Sequence, residues 1–309
     1  ATLYRTRLAS PASAVPVLRK AVELAPDDRD MRAMLADGLR IAGELDEAQE
    51  LLLALVNDYG RRRSPERASA HLQLARVAHA KGQIDEALDQ LDTASRMDAS
   101  NVTILRTLAE LANEAGQLPR AEGAYRTLLM AVRRESNPAD LEIGPTEVLV
   151  ELSRIAAARG NDSKANELAE SALESIAQND FEADRVQAKL QEAGDLELLA
   201  RILDTRLKHV DLAHIRASIY ASQAALAQGP EEALTALLEA VKADPGSPAH
   251  HATAWQAAKA ADKLDGYVSV VEALRFWPES GGPGENMTAM GRSWAVLTAL
   301  TMAAVPLAT

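Results

Sequence analysis

The sequence contains no cysteine among its 309 residues. Disulfides, thiolate zinc sites and cysteine nucleophiles are therefore excluded. Aromatic residues are also scarce, with three Trp, five Tyr and two Phe. Because 47% of the residues are nevertheless hydrophobic, the apolar content is mostly Ala, Leu, Val and Ile. That composition favours helices that pack closely through small side chains.

Basic residues are fewer than acidic ones: the chain has 33 Lys and Arg and 45 Asp and Glu, which gives a formal net charge of -12. Such a chain repels phosphate backbones, so nucleic acid is not expected as a partner. The first residues, ATLYRTRLAS, contain neither an initiator Met nor an apolar signal core. They are interpreted as a cut or processed end. We expect a cytoplasmic location and leave a periplasmic one open.

Catalytic motifs are absent as well: there is no P-loop, no G-x-G-x-x-G after a strand, no G-x-S-x-G and no H-E-x-x-H. No two of the six histidines are spaced at i, i+4, and the adjacent His250 and His251 would point about 100° apart on a helix. No metal and no cofactor are expected, and the histidines are predicted to lie on the surface or in a groove. Carboxylates such as Glu44, Asp46 and Glu47 are predicted at solvated helix starts. The sequence thus predicts that the protein is not an enzyme.

What the sequence does contain is a repeated pattern around glycine. Leucine stands eight residues before each of four glycines, a small residue seven before, and alanine five after. These glycines are Gly43, Gly82, Gly116 and Gly160. Gly82 to Gly116 spans 34 residues, and Gly160 to Gly194 spans 34 again. The pattern is therefore a repeat unit rather than a local turn.

Each unit is predicted to be a pair of antiparallel helices. The longer glycine intervals contain insertions at RRRSPER (61–67) and SNPADLEIGP (136–145), which are predicted as loops. Apolar residues follow helical spacing on both sides of each glycine. Asp85 and Glu86 stand at the start of a second helix, where the helix dipole favours negative charge. Gly82 is predicted to let the backbone leave the first helix.

The unit resembles the tetratricopeptide repeat. The resemblance implies an all-α fold, a right-handed superhelical solenoid of about seven 34-residue antiparallel helix pairs over residues 1–281. A partial unit at the start is marked by Ala14, Ala21 and Pro26, which indicates a piece of a longer protein, with a divergent cap as the alternative. Trp255 stands where the last unit should have a small residue. Complete units are expected near 29–62, 68–101, 102–135, 146–179, 180–213, 214–247 and 248–281.

In this family the first helix of each hairpin lines a concave groove, at positions three, six, nine and ten residues before the glycine. The resemblance therefore implies a non-catalytic scaffold or adaptor that binds a peptide or a partner segment. Leu72 is expected to face the groove. The predicted partner-binding residues are Arg40, Gln73, Arg76, His79, Arg106, Asn113 and Arg154.

The groove arginines predict an acidic partner segment, because Arg can hold a carboxylate with two hydrogen bonds. The alternative left open is that they are solvated or paired with Asp37, Glu110 and Glu151. The family's clamp for chaperone C-terminal carboxylates needs a particular set of Lys and Asn. The matching positions here carry Ala33 and Asp37, so chaperone tails are not expected as partners.

The end of the chain differs in kind, because residues 293–309 carry no charge. Residues 282–309 are interpreted as a linker followed by an apolar capping or docking helix. Its docking residues are predicted to be Trp294, Leu297 and Leu300. A membrane-proximal segment is an alternative. If the segment docks on a neighbouring chain, the protein is a structural subunit of a multi-protein assembly, which is the alternative function.

Overall fold

The computed structural model describes residues 14–135, 142–178 and 180–275. Within these ranges 81% of the residues are helical and none is in a strand. Fifteen α-helices and one short 3₁₀ helix are present there, so the predicted all-helical repeat fold is confirmed. Contacts divide the chain into two compact units, the first ending at Ala169 and the second beginning at Glu170.

Unit 1 contains a single helix followed by four hairpins, and its boundary with unit 2 falls inside the last helix. From α1 to α8 each helix packs on the next one in sequence, and α2 also contacts α4, the equivalent helix of the neighbouring hairpin. The helices are α1 (Val15–Leu24), α2 (Arg29–Ala42), α3 (Leu45–Asp58), α4 (Pro65–Ala80), α5 (Ile84–Met97), α6 (Val102–Glu114), α7 (Leu118–Val132), α8 (Pro145–Ala158) and α9 (Asp162–Gln178).

Unit 2 continues with a 3₁₀ turn at Asp180–Glu182 and three further hairpins. Within it, α13 contacts α15, so second helices of neighbouring hairpins touch. The helices are α10 (Ala183–Glu192), α11 (Leu196–His209), α12 (Ala213–Leu226), α13 (Pro230–Ala243), α14 (Pro248–Ala260) and α15 (Leu264–Arg275).

The turn inside five of the seven hairpins that the structure describes shows why glycine recurs. Gly82 has a φ of +75°, in the left-handed region that suits glycine. This conformation lets the Gln83 backbone N donate to the Ala78 carbonyl at 2.9 Å, which closes the end of α4. Asp85 and Glu86 then occupy the first turn of α5, as predicted. The same left-handed conformation is found at Gly43, Gly116, Gly160 and Gly194.

The last hairpin makes this turn without glycine. Asp262 takes a φ of 54° between α14 and α15, and Asp tolerates this region better than most residues because its short polar side chain can bond locally. Trp255, at the position where a small residue was expected, packs edge-on against Tyr267 with ring centroids 5.6 Å apart. An aromatic contact therefore replaces the close small-residue contact of the other hairpins.

Alanines are among the most deeply buried residues in the core of unit 1. Ala75, Ala87, Ala109 and Ala121 are at most 1% exposed and belong to one apolar cluster of α4 to α8. Leu72 belongs to the same cluster and is 8% exposed. Leu72, which was expected to face the groove, is thus largely buried in this cluster, and it does not line the cleft between α4 and α6. Its position on α4 turns toward the following helices, where an apolar side chain gains more by burial than by lining a surface.

Ion pairs connect the second helices of successive hairpins, or the turns before them. Arg120 on α7 contacts Asp89 at 2.9 Å and Asp92 at 2.5 Å on α5. Lys81, before α5, contacts Asp46 on α3 at 2.6 Å. We call these contacts the second-helix ion pairs, and such exposed pairs contribute at most about 1 kcal/mol each. Others are Arg19–Glu47, Arg159–Glu122, Arg201–Glu170 and Lys263–Glu231.

Candidate partner-binding site

A cleft of about 130 Å³ opens between α4 and α6, the first helices of adjacent hairpins in unit 1. Arg76 and His79 on α4 line one wall. Thr107, Glu110 and Glu114 on α6 line the other. The repeat brings these walls together, because the residues six and three before one glycine face the equivalent turns of the next first helix. We call this feature the α4–α6 cleft.

The floor of the α4–α6 cleft is apolar. It consists of Ala75, Leu91 and Leu111, which are 1%, 0% and 6% exposed. Arg76 and Glu114 lie exposed at the rim. Pockets for small molecules usually have about 300–1,000 Å³, so this cleft is suited to a single side chain of a larger partner.

Opposite charges line the cleft without neutralising each other. Arg76 has no hydrogen bond or ion pair within the part of the chain that the structure describes, and neither does Glu114. Glu110 is engaged elsewhere, because it accepts a hydrogen bond from Arg106 Nε at 2.8 Å. One free guanidinium and one free carboxylate are therefore available on opposite walls.

Arg106 is held by two carboxylates of its own chain. Besides Glu110, its Nη1 donates to Glu142 at 3.0 Å. The hydrogen bond to Glu110 and the negative charges of Glu110 and Glu142 raise the pKa of Arg106. Its charge is thus compensated internally, and it lines no part of the cleft.

Two further arginines of the predicted groove are paired within their own helices. Arg40 contacts Asp37 at 2.9 Å on α2, and Arg154 contacts Glu151 at 3.3 Å on α8. Together with Arg106 and Glu110, these are the pairs that the alternative interpretation named. A uniformly acidic partner would meet these carboxylates as well as the arginines, which reduces its electrostatic gain.

The cleft brings together only Arg76 and His79 of the seven predicted residues. Gln73 and Asn113 are partly buried on α4 and α6, outside its lining. Gln73 Oε1 is buried and has no hydrogen-bond partner in the described ranges. Glu114 was missed by the sequence analysis. Its signal was its spacing, one helical turn after Glu110 on the same helix face.

A larger open cleft of about 550 Å³ lies at the helix ends beside Tyr59. Arg29, one of its two arginines, is already engaged, since it lies 4.8 Å from the Tyr59 ring centroid and donates to the Asp58 carbonyl at 2.8 Å. It has no buried apolar floor, so it is a weaker candidate for partner binding. The remaining lining residues are Asp27, Asp28, Asp30, Arg62, Ser64 and Glu66.

Two histidines contradict the prediction of surface or groove positions. His71 is 8% exposed and its Nδ1 lies 2.7 Å from Gln90 Oε1 on the partner helix of its hairpin. His251 is 1% exposed; its Nε2 donates to the Pro245 carbonyl at 3.0 Å, so its Nδ1 accepts from the Tyr267 hydroxyl at 2.8 Å. Both are buried because each bridges helices through hydrogen bonds. Burial lowers the pKa of both histidines.

The ranges described by the structure contain no group of three or more His, Asp or Glu arranged to hold a metal ion. None of the helices in these ranges has both the length and the apolar character needed to cross a bilayer. Trp294, Leu297, Leu300 and the preceding linker lie outside the described residues. Whether they cap the last hairpin, dock on another chain or meet a membrane stays a prediction.

Comparison with known proteins finds no matching family model and no matching curated protein. Solved structures with a similar helix arrangement include the C-terminal part of a TPR repeat-containing protein from Cytophaga hutchinsonii, at TM-score 0.46 and 14% identity, covering 82% of this chain and 96% of that one. MamA has a TM-score of 0.44 and 17% identity, covering 55% and 91%. YrrB, a TPR protein with an unusual peptide-binding site, has a TM-score of 0.41 and 14% identity, covering 60% and 87%. Identities of 14–17% with TM-scores below 0.5 do not indicate a shared function.

Proposed function

We propose that this chain is a non-catalytic interaction scaffold that binds a peptide or partner segment along the first helices of unit 1. The observation that supports this most directly is the α4–α6 cleft, where unpaired charges surround a buried apolar floor. Apolar contact supplies affinity in such surfaces, while charges orient the partner. The proposal requires no metal and no cofactor.

The proposed surface extends beyond one cleft. Arg40 on α2, Arg106 on α6 and Arg154 on α8 occupy the first helices of the other hairpins. Each is only partly buried and keeps a carboxylate neighbour. A segment lying across these helices would therefore meet alternating charges, and neighbouring hairpins supply such extended surfaces in repeat proteins. Within this surface, a carboxylate of the partner is proposed specifically for Arg76.

The experiment is comparative capture of partners from the native cell, followed by binding measurements with the purified partner. The test variant is Arg76→Ala with Arg106→Ala, both on the proposed surface. The control is Arg63→Ala, an exposed arginine in the loop before α4. Charge-assisted hydrogen bonds contribute about 1.5–3 kcal/mol, so we expect affinity to fall at least tenfold in the double variant and to stay unchanged in the control.

The fold must be intact for this comparison, which circular dichroism of each variant checks. Affinity of the wild type should also fall as salt is added, because exposed charges are screened. Equal affinity of the wild type and the double variant would show that the partner binds away from the first helices, and would refute the proposal.

A further inference from the structure

The two walls of the α4–α6 cleft differ in the sign of their charge, and this difference restricts what can bind. We propose that the cleft selects a partner segment in which one apolar side chain is flanked by an acidic residue on one side and a basic residue on the other. This inference rests on the proposed function and adds the chemistry of the partner to it.

The apolar side chain follows from the floor. The side chains of Ala75, Leu91 and Leu111 contain no polar atom, and a polar group placed against them would lose its hydrogen bonds to water without replacement. The volume of about 130 Å³ admits one side chain of moderate size. A leucine, isoleucine or methionine of the partner fits these conditions.

The acidic residue follows from Arg76. Its guanidinium is exposed and has no partner in the described part of the chain. A carboxylate can accept two parallel hydrogen bonds from it, which fixes orientation as well as adding attraction. A phosphate of a nucleic acid is disfavoured, because Glu110 and Glu114 line the same cleft and the net charge of the chain is -12.

The basic residue follows from Glu114 on the opposite wall. Its carboxylate is likewise exposed and unpaired in the described ranges, whereas Glu110 beside it is already bound to Arg106 at 2.8 Å. A lysine or arginine of the partner would compensate Glu114. An entirely acidic segment would be repelled by this wall, and an entirely basic one by Arg76, since like charges brought together disfavour the wrong partner.

The experiment selects binders for the 309-residue wild-type chain from a random peptide library displayed on phage. The same selection is repeated with Arg76→Glu combined with Glu114→Arg, which exchanges the charges of the two walls and preserves the floor. We expect wild-type binders to share an apolar residue between an acidic and a basic one, in a fixed order. The exchanged variant should select the reverse order. Single Arg76→Ala should weaken a wild-type binder about tenfold.

The outcomes separate this inference from the proposed function. Peptides that depend on Arg76 but lack the flanking charges, or that keep the same order with the exchanged variant, would overturn the inference and leave the interaction surface in place. Peptides that bind equally well to Arg76→Ala would overturn the inference. If they also bind equally well to Arg76→Ala with Arg106→Ala, or if no peptide is enriched, the proposed function is overturned as well. Circular dichroism of the exchanged variant verifies that it folds, as expected for two exposed substitutions.

Discussion

Replacing Ala87 by glutamate tests the close helix packing on which each hairpin depends. Ala87 on α5 is 0% exposed and packs in the apolar cluster of unit 1. A larger side chain there forces the helices apart, at a cost of about 1–3 kcal/mol. The carboxyl group must also be buried, and it would take up a proton rather than stay charged.

The cost of that proton can be worked out. Keeping a glutamate with an ordinary pKa of about 4.3 protonated at pH 7 costs about 4 kcal/mol. Added to the steric term, Ala87→Glu should therefore destabilise its hairpin by roughly 5–7 kcal/mol at neutral pH. The matched control is Ala54→Glu in the exposed middle of α3, where we expect a change within about 0.5 kcal/mol.

Hydrogen exchange measured by mass spectrometry is the suitable assay, because it reports each helix separately. Exchange should rise strongly in α4, α5 and α6 and stay unchanged in α13, since each hairpin contacts only its neighbours. Urea unfolding followed by circular dichroism should show an early partial transition in Ala87→Glu alone. If Ala87→Glu and Ala54→Glu behave alike, or if α13 loses protection equally, the reasoning about close packing and local coupling is refuted.

Glycine substitutions and pH provide two further predictions. Gly82→Ala should destabilise the fold by about 1–2 kcal/mol, because a φ of +75° strains any residue with a side chain. Gly123→Ala, in the exposed interior of α7 with no atom near the added Cβ, should instead stabilise the fold by about 0.5–1 kcal/mol. Equal effects of the two substitutions on thermal unfolding would contradict this prediction. Burial keeps the folded pKa of His71 and His251 below that of an unfolded chain, so the unfolded state binds protons first and stability should fall as pH drops below about 6.5. NMR titration that found both rings protonated at or above that pH would exclude the effect.

The sequence was sufficient to predict the hairpin turns, because the turn depends on one residue type. The spacing predicted that the backbone leaves the first helix at Gly82, and Gly82 and its equivalents do so in the left-handed conformation. The turn of the last hairpin could not be predicted in this way, since Asp262 adopts the same conformation without being glycine. Trp255 also departs from the repeat, which has a small residue at this position. Its indole packs against Tyr267 on the other helix of the hairpin. Such compensation requires knowledge of distant contacts.

The candidate site was predicted only in part, for a similar reason. Spacing on one helix predicts the pair of Arg106 and Glu110, but not the contact of Arg106 with Glu142, which lies 36 residues away in a loop. Arg76 looked equivalent to the other arginines in sequence, yet it alone among the four lacks a carboxylate partner in the described ranges. Which charges remain available to a partner depends on how hairpins meet.

The second-helix ion pairs bear on how similar hairpins assemble in the correct order. Repeat proteins are prone to misassembly, because many hairpins offer much the same apolar face. If α7 packed on α3 and skipped a hairpin, Arg120 would face Leu53 where Asp92 stands in the correct neighbour, and would keep only one carboxylate, Glu50 in place of Asp89. Asp46 would then face Ala115 instead of a lysine. Although each ion pair is weak, together they favour packing of each hairpin on its correct neighbour over packing on a hairpin of similar sequence.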